Sequence, residues 1–383
     1  MFFGLSTSRL DNFPYHYTLP NGLVLNTDDG WQTYTTDSHT VVIKGYINKY
    51  SLSEVIDNLI VQDIPTYKGN FCAFIADSEN VKILHDTYRG FHLWASNEMI
   101  TNLVEHGNQH WADCIITVNN KLEYSQSFFK VYNKNTQHLT DDELVDSLHT
   151  TICETYEQFL THNTQPLKMF LTGGIDTTTA WAYLDYFTKN YELVDYEYMK
   201  LTPFWCKNST AIRKFWGYQQ IHLWDNDCVL VTGGNGDENL LRGPFTLAIA
   251  LKQYNISLTD ILQPTDYHYS YLMKKTFDVD DVYKEITDVD DYILNMNVND
   301  CQHWHLDRTL MFTPFKDISL LSTVLGSSKD LLIAQARDAE INKELIRKLD
   351  ASKLCVLSNQ KNYLPFENIS SNVSRYKNDY PLI

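Results

Sequence analysis

The spacing of hydrophobic positions changes once along the chain. Up to about residue 135 the apolar side chains come in short runs: TVVIKGYI at 40–47, GNFCAFIA at 69–76, VKILHD at 81–86 and ADCIITV at 112–118. These runs are rich in branched and aromatic residues. Asn-Gly at 21–22, Asp-Asp-Gly at 28–30, Lys-Gly at 68–69 and Asn-Asn at 119–120 punctuate the region, which predicts strands joined by turns. One segment departs from this pattern. SLSEVIDNLI at 51–60 puts Val55, Leu59 and Ile60 on one helical face, and Ser51 and Glu54 stand at capping-box spacing. The first domain, 1–137, therefore reads as an antiparallel, strand-dominated fold carrying one helix.

Near residue 138 the period lengthens. Thr140 and Glu143 form a second capping box, and Leu144, Leu148, Ile152, Tyr156 and Leu160 recur at four with acids between them. The domain boundary falls in NKNTQHLT at 133–140. PLKMFLTGG at 166–174 then reads as a short buried strand, IDTTTAWAYLDYF at 175–187 as a helix, and DCVLVTGG at 227–234 as a second strand ending in glycines. This alternation predicts an α/β second domain, 138–383, built on a parallel sheet. The stretch from Ser328 to Leu349 looks helical again.

The 383 residues fit two domains, and 43% hydrophobic with 13% aromatic content is a globular composition. A net charge of −17 argues against coating duplex nucleic acid, which draws on Lys and Arg. A small phosphorylated ligand is compatible with it, because backbone amides and one metal ion can hold such a group. No two of the seven cysteines lie within four positions, so no zinc knuckle or CxxC pair is formed, and the low density fits a reducing compartment. No signal peptide and no apolar run of membrane-spanning length is read, so the expected location is cytoplasmic, and the Asn-X-Ser/Thr triplets are chance matches.

The sharpest motif is Leu171-Thr172-Gly173-Gly174-Ile175-Asp176-Thr177-Thr178. Two glycines at a strand end let backbone approach a ligand, and the helix that follows presents N–H groups to an anion. Thr172, Thr177 and Thr178 add hydroxyls. Asp176 would repel a bound phosphate unless a divalent cation lay between them, so the loop points to Mg²⁺ and a polyphosphate. A plain Gly-Gly turn with a capping Asp is the other reading. Neither GxxxxGK nor GxGxxG is present.

LTGGIDTTTA resembles the SGG-I/L-D-S loop of the N-type ATP pyrophosphatases, with Thr for Ser at both ends. In that family the loop holds the pyrophosphate of ATP while a carboxylate attacks the α-phosphorus and becomes an acyl adenylate. VTGGNGDE at 231–238 resembles the second loop, LSGxGxDE, of asparagine synthetases and of the related β-lactam synthetases and lasso peptide cyclases. The resemblance implies ATP contact at Gly233 and a Mg²⁺ ligand at Asp237 shared with Asp176; Glu238 is an alternative acid at a position the family commonly uses structurally. TPFKD at 313–317 resembles the family's VPFLD, and Asn342-Lys343-Glu344-Leu345-Ile346-Arg347 its GK..LR segment. Gln360-Lys361 resembles a later RxK. By that likeness Lys343 would offset charge in the adenylation and amide-forming transition states, and Lys361 would touch ATP phosphates. In the first domain VVIKGYI, YKGNFCAFIAD and LHDTYRGFHLW resemble class II glutaminase segments, which implies a sandwich of antiparallel sheets.

The pattern also breaks. Class II glutaminases use a cysteine exposed by removal of the initiator Met, and here Phe2 stands there; their NGE has become Lys44-Gly45-Tyr46. Neither nucleophile nor base remains, so no glutaminase activity is expected. Asparagine synthetases carry Glu where this chain has Gly234, so the attacking amine needs another base or arrives neutral.

The acidic stretch 277–291 lacks the Gly of a calcium loop and reads as a solvated surface. His303 and His305 lack a third metal ligand at a clear spacing; the resemblance makes them candidates for a substrate pocket, because the family places its acceptor pocket in this part of the second domain. Trp216, Tyr218 and Trp224 read as core, and Arg242 as a partner for a carboxylate. The leading function is an amide-forming ligase using ATP and Mg²⁺ on small-molecule or peptide carboxylate and amine substrates. The alternatives are a catalytically degenerate homologue kept for binding or regulation, and a nucleotide- or tRNA-modifying ligase. A homodimer is left open.

Overall fold

The computed structural model describes residues 3–61, 68–85, 93–102, 108–110, 114–128, 139–170, 174–194, 228–242, 247, 251–252, 254–260, 310–349, 355–357 and 363–365. The chain is a two-part α+β protein: antiparallel sheets first, then a small parallel sheet with flanking helices.

The first part holds two six-stranded sheets. One contains β1 (Phe3–Ser6), β2 (Tyr15–Thr18), β3 (Val24–Thr27), β8 (Leu93–Ala95), β9 (Ile100–Thr101) and β10 (Asn108–His110), in the order β10-β8-β9-β1-β3-β2. The other contains β4 (Gln32–Thr35), β5 (Thr40–Ile47), β6 (Gly69–Ala76), β7 (Asn80–His85), β11 (Cys114–Asn119) and β12 (Tyr124–Phe128), in the order β12-β11-β7-β6-β5-β4. Every described pairing within both is antiparallel.

The period of two explains the near-continuous apolar run of β6. Cys72, Phe74 and Ala76 face the first sheet, joining Phe3, Leu5 and Leu25 in the main core. Phe71, Ala73 and Ile75 face outward, where α1 (Leu52–Val61) covers them with Leu52, Val55, Ile56 and Leu59. Half of the first capping box is formed: Ser51 N and Oγ both donate to Glu54 Oε2, at 2.8 and 2.6 Å, while Glu54 N donates to Ser51 O and not to the hydroxyl. Phe3 is fully buried and meets Trp31 and Phe74 edge-on, with ring centroids 5.7 and 5.1 Å away.

The expected boundary residues 133–138 lie outside the described residues. The second part opens with α2 (Asp141–His162), whose capping box of Thr140 and Glu143 is complete. Leu144, Leu148, Ile152 and Tyr156 are buried along it, and Phe159 continues the buried face where Leu160 is only partly covered. The parallel sheet comprises β13 (Leu167–Phe170), β14 (Glu192–Val194), β15 (Val229–Val231) and β16 (Leu310–Phe312), in the order β14-β13-β15-β16. Helix α3 (Ile175–Phe187) follows β13 over the predicted range. Tyr156 of α2 donates to Ala180 O of α3 at 2.6 Å, and Phe159 stacks on Phe312 at 3.9 Å, so α2 is bound both to α3 and to the sheet. A short two-stranded ladder, β17 (Cys355–Leu357) and β18 (Tyr363–Pro365), comes last.

A one-turn helix α4 (Gly236–Asn239) follows β15, and α5 (Ile318–Val324) follows β16 with Asp317 as its cap. The helical stretch predicted for 328–349 is two helices, α6 (Lys329–Asp338) and α7 (Glu340–Lys348). The break is Ala339, in the left-handed region at φ 57°. A non-glycine residue there ends one helix and redirects the next. The two parts are joined by polar contacts. Tyr46 Oη donates to Met311 O at 2.5 Å, Lys68 pairs with the buried Asp317, and Lys316 Nζ donates to Gly69 O at 3.3 Å.

Candidate functional site

Strand order sets where a ligand can sit. β14 lies on one side of β13 and β15 on the other, so among the described strands the direction of winding reverses between β13 and β15. At such a reversal the loops beyond the carboxyl ends diverge and leave a crevice, the usual binding place of open parallel sheets. The chain segments leaving those two strand ends carry Asp176 and Asp237.

The first segment enters α3 through Gly174, an extended N-cap with no side-chain cap. Asp176 is in the first turn, where a negative charge is favoured by the helix dipole. Thr178 Oγ1 donates to Gly174 O at 2.8 Å and Thr179 Oγ1 to Ile175 O at 2.8 Å, so these two hydroxyls tie down the first turn. Thr177 is buried in the same turn. Leu171, Thr172 and Gly173 lie outside the described residues.

The second segment, residues 232–236, packs directly on that turn. A Cβ at Gly233 would come within 2.3 Å of Thr177 N, and one at Gly236 within 2.6 Å of the Asp176 side chain. Both positions therefore require glycine for backbone approach. Gly234 differs, because among the described residues only Thr232 Oγ1, at 3.2 Å, lies near its Cβ position. Asn235 takes φ 64° where the resembling motif has glycine; Asn is among the few non-glycine types that visit this region readily. The segment is pinned from β16's side: Thr313 Oγ1 donates to Gly234 O at 2.5 Å, and Asn239 Nδ2 to Phe315 O. TPFKD thus borders the second segment through Thr313 and Phe315, while Lys316 and Asp317 are turned to the first part of the protein.

Asp176 and Asp237 meet on one atom. Arg242 Nη2 donates to Asp176 Oδ2 and, at 2.6 Å, to Asp237 Oδ1. The Arg242 side chain is 9% exposed, that of Asp176 14% and that of Asp237 47%. Burial pushes the Asp176 carboxyl well above the ordinary carboxylate range; Arg242 works against this and Asp237 adds to it. Asp176 Oδ1 is held separately by Asn342 Nδ2 at 3.1 Å, an amide that also reaches Thr179 Oγ1 at 3.2 Å. Behind it, Gln335 Nε2 donates to Asn342 Oδ1 at 3.0 Å and to Leu240 O at 3.1 Å, and Gln335 Oε1 accepts from Ile341 N at 2.9 Å. Asn342 and Gln335 are fully buried.

Lys343, next to Asn342, is 7% exposed, and its ammonium has no hydrogen-bond or ion-pair partner among the described residues. The Asn235 carboxamide is also buried, with neither Oδ1 nor Nδ2 bonded to a described residue. Glu238 belongs to α4, but its side chain lies outside the described residues, as do Lys361, Trp216, Tyr218, Trp224, His303, His305 and the acidic stretch 277–291. No cluster of three His, Cys, Asp or Glu is gathered among the described residues, so Asp176 and Asp237 stand as a pair. Asn342 and Gln335 escaped the sequence reading. Asn342 had only its adjacency to Lys343 as a signal and Gln335 had none, because amides at helical spacing look like any solvated face. Arg242 was read as a partner for a substrate carboxylate, and in the structure it holds the chain's own acids.

No protein-family model matches the chain, and no curated protein is significantly similar to it. The fold defines a class: a two-part α+β protein whose architecture is compatible with nucleotide-binding ligases in general. Among the described residues no helix is long and apolar enough to cross a membrane.

Proposed function

We propose that the protein is an ATP- and Mg²⁺-dependent amide-forming ligase of the asparagine-synthetase-like kind, without glutaminase activity. It would adenylate a small-molecule or peptide carboxylate and pass the acyl group to an amine. One observation carries the reading. Two acids from segments that follow neighbouring parallel strands converge beside the first turn of α3, where the sheet reverses its winding.

The donor set fits the ions proposed for it. Carboxylate oxygens suit Mg²⁺, which when bound would neutralise triphosphate charge next to Asp176 and Asp237. The 13-residue α3 has no side-chain N-cap hydrogen bond among the described residues, and the start of a helix favours an anion. Lys343, 7% exposed, has no counter-charge among the described residues, which leaves its ammonium available to an anionic ligand. The orphaned Asn235 carboxamide offers one donor and one acceptor orientation for a bound group. Gly234 supplies no carboxylate, so the attacking amine arrives neutral or gives its proton to a group outside this segment. Phe3, packed on Trp31 and Phe74, makes the first part a filled sandwich that supports the second through Tyr46, Lys68 and Lys316.

A second reading is a non-catalytic homologue that binds without reacting. Arg242 favours it, since one cation already stands between the two acids. Two measurements separate the readings. Calorimetric titration of ATP with and without Mg²⁺ tests the site, and pyrophosphate release or ATP–pyrophosphate exchange across a carboxylate panel tests the chemistry. ATP affinity that ignores Mg²⁺, with no exchange for any acid, would leave the non-catalytic reading in place.

A further inference from the structure

We infer that Arg242 is a resident counter-cation for the Asp176–Asp237 pair: it holds the two acids together and has to leave them before a divalent cation can bind. The inference rests on the ligand reading above and concerns what sets the affinity of that site.

The first argument is charge. Two carboxylates this close, one of them 14% exposed, repel unless a cation lies between them. Arg242 supplies it from within the same segment, five residues after Asp237. With both acids ionised, as metal ligands have to be, the pair with Arg242 carries net charge −1, which opposes a triphosphate, whereas a divalent ion in its place brings the pair to neutrality.

The second argument is the form of the contact. Each acid is met by one N–H of the same nitrogen, so neither receives the two-pronged fork that makes Arg–carboxylate pairs strong. Asp237 is also 47% exposed, so the contact opens to solvent on that side.

The third argument is that the acids would stay in place when Arg242 moves. Asp176 Oδ1 is anchored by Asn342, and Asn342 by Gln335, both buried. Gln335 also fixes Leu240 O, and Arg242 N donates to Asp237 O at 2.6 Å, so the backbone of the segment is tied on both sides. Only the guanidinium has to swing. Oδ2 of Asp176 and Oδ1 of Asp237 are the atoms exchanged from one cation to the other.

The test uses Mn²⁺ as probe without nucleotide, with free ion followed by its electron paramagnetic resonance signal and stability by thermal melting. Arg242→Met should bind Mn²⁺ about tenfold more tightly than the wild type, because the resident competitor is gone. It should melt lower in metal-free buffer and recover that loss when Mn²⁺ is added. Arg242→Lys, which keeps the charge, should lie between the two in affinity and fold normally, so the comparison survives if the Met variant folds poorly. Equal Mn²⁺ affinity in wild type, Met and Lys proteins, with no recovery of stability, would overturn the inference while leaving the ligase reading standing. Absence of Mn²⁺ binding at millimolar concentration in all three would overturn both.

Discussion

Asn342 donates its side-chain amide to Asp176 Oδ1 at 3.1 Å, across 166 positions of sequence. The bond ties α7 to the first turn of α3 and leaves the other carboxylate oxygen toward Arg242. Asn342→Ala would strip a partner from Asp176 and from Gln335 inside a buried network. An expected cost of about 2 kcal/mol follows from leaving such groups unsatisfied. Urea unfolding of the variant checks it, and an unchanged midpoint would show that the network carries no stability.

The three glycines of the second segment should respond unequally to alanine. At Gly233 and Gly236 the added methyl meets backbone or the Asp176 side chain at 2.3 and 2.6 Å. Either change should destabilise by about 2–4 kcal/mol, the range of forced overpacking, and displace Asp176. Gly234→Ala meets only Thr232 Oγ1 at 3.2 Å among the described residues, and should stay within about 0.5 kcal/mol of wild type. Parallel thermal melts of the three proteins would show whether this ordering holds.

Lys343 should separate stability from binding. Its ammonium has no hydrogen-bond or ion-pair partner among the described residues, so Lys343→Met removes no described polar contact and keeps the buried stem. The variant should be as stable as wild type or more so by about 1 kcal/mol, while its affinity for ATP or pyrophosphate falls at least about tenfold. A variant that is destabilised yet binds normally would make Lys343 a structural residue.

Cys153 should be inert near neutrality. Burial, with Glu157 and Glu154 adding, pushes its thiol up to about 11. The folded value lies above that of an unfolded cysteine, so the burial contribution is intact below the unfolded value and is lost as pH rises through the folded one. Iodoacetamide should label Cys153 slowly at pH 8, as read by peptide mass mapping. The wild type should also lose more stability than Cys153→Ser between about pH 9 and 11.

Residue order alone determined most of the described elements that the site uses. The capping box at Thr140, the Ser51–Glu54 contact, the runs at 40–47 and 69–76, the helix at 175–187 and the glycine-rich strand ends depend on interactions within a few positions, or on a period of two or near four. Signals of that reach are complete in the local sequence. β16 and the one-turn α4 were not read, because three or four residues are too few to show a period. The division of 328–349 was hidden too, since Ala339 is a good helix former whose left-handed turn is imposed by what α6 and α7 pack against. Only the tertiary structure decided that β15 lies on the opposite side of β13 from β14. That order brings Asp176, Asp237 and Arg242 to one point and lets Asn342 and Gln335 support them from behind. A side chain's partner across the fold depends on sheet order and helix direction, which are properties of the whole packed core, and no window of neighbouring residues contains them.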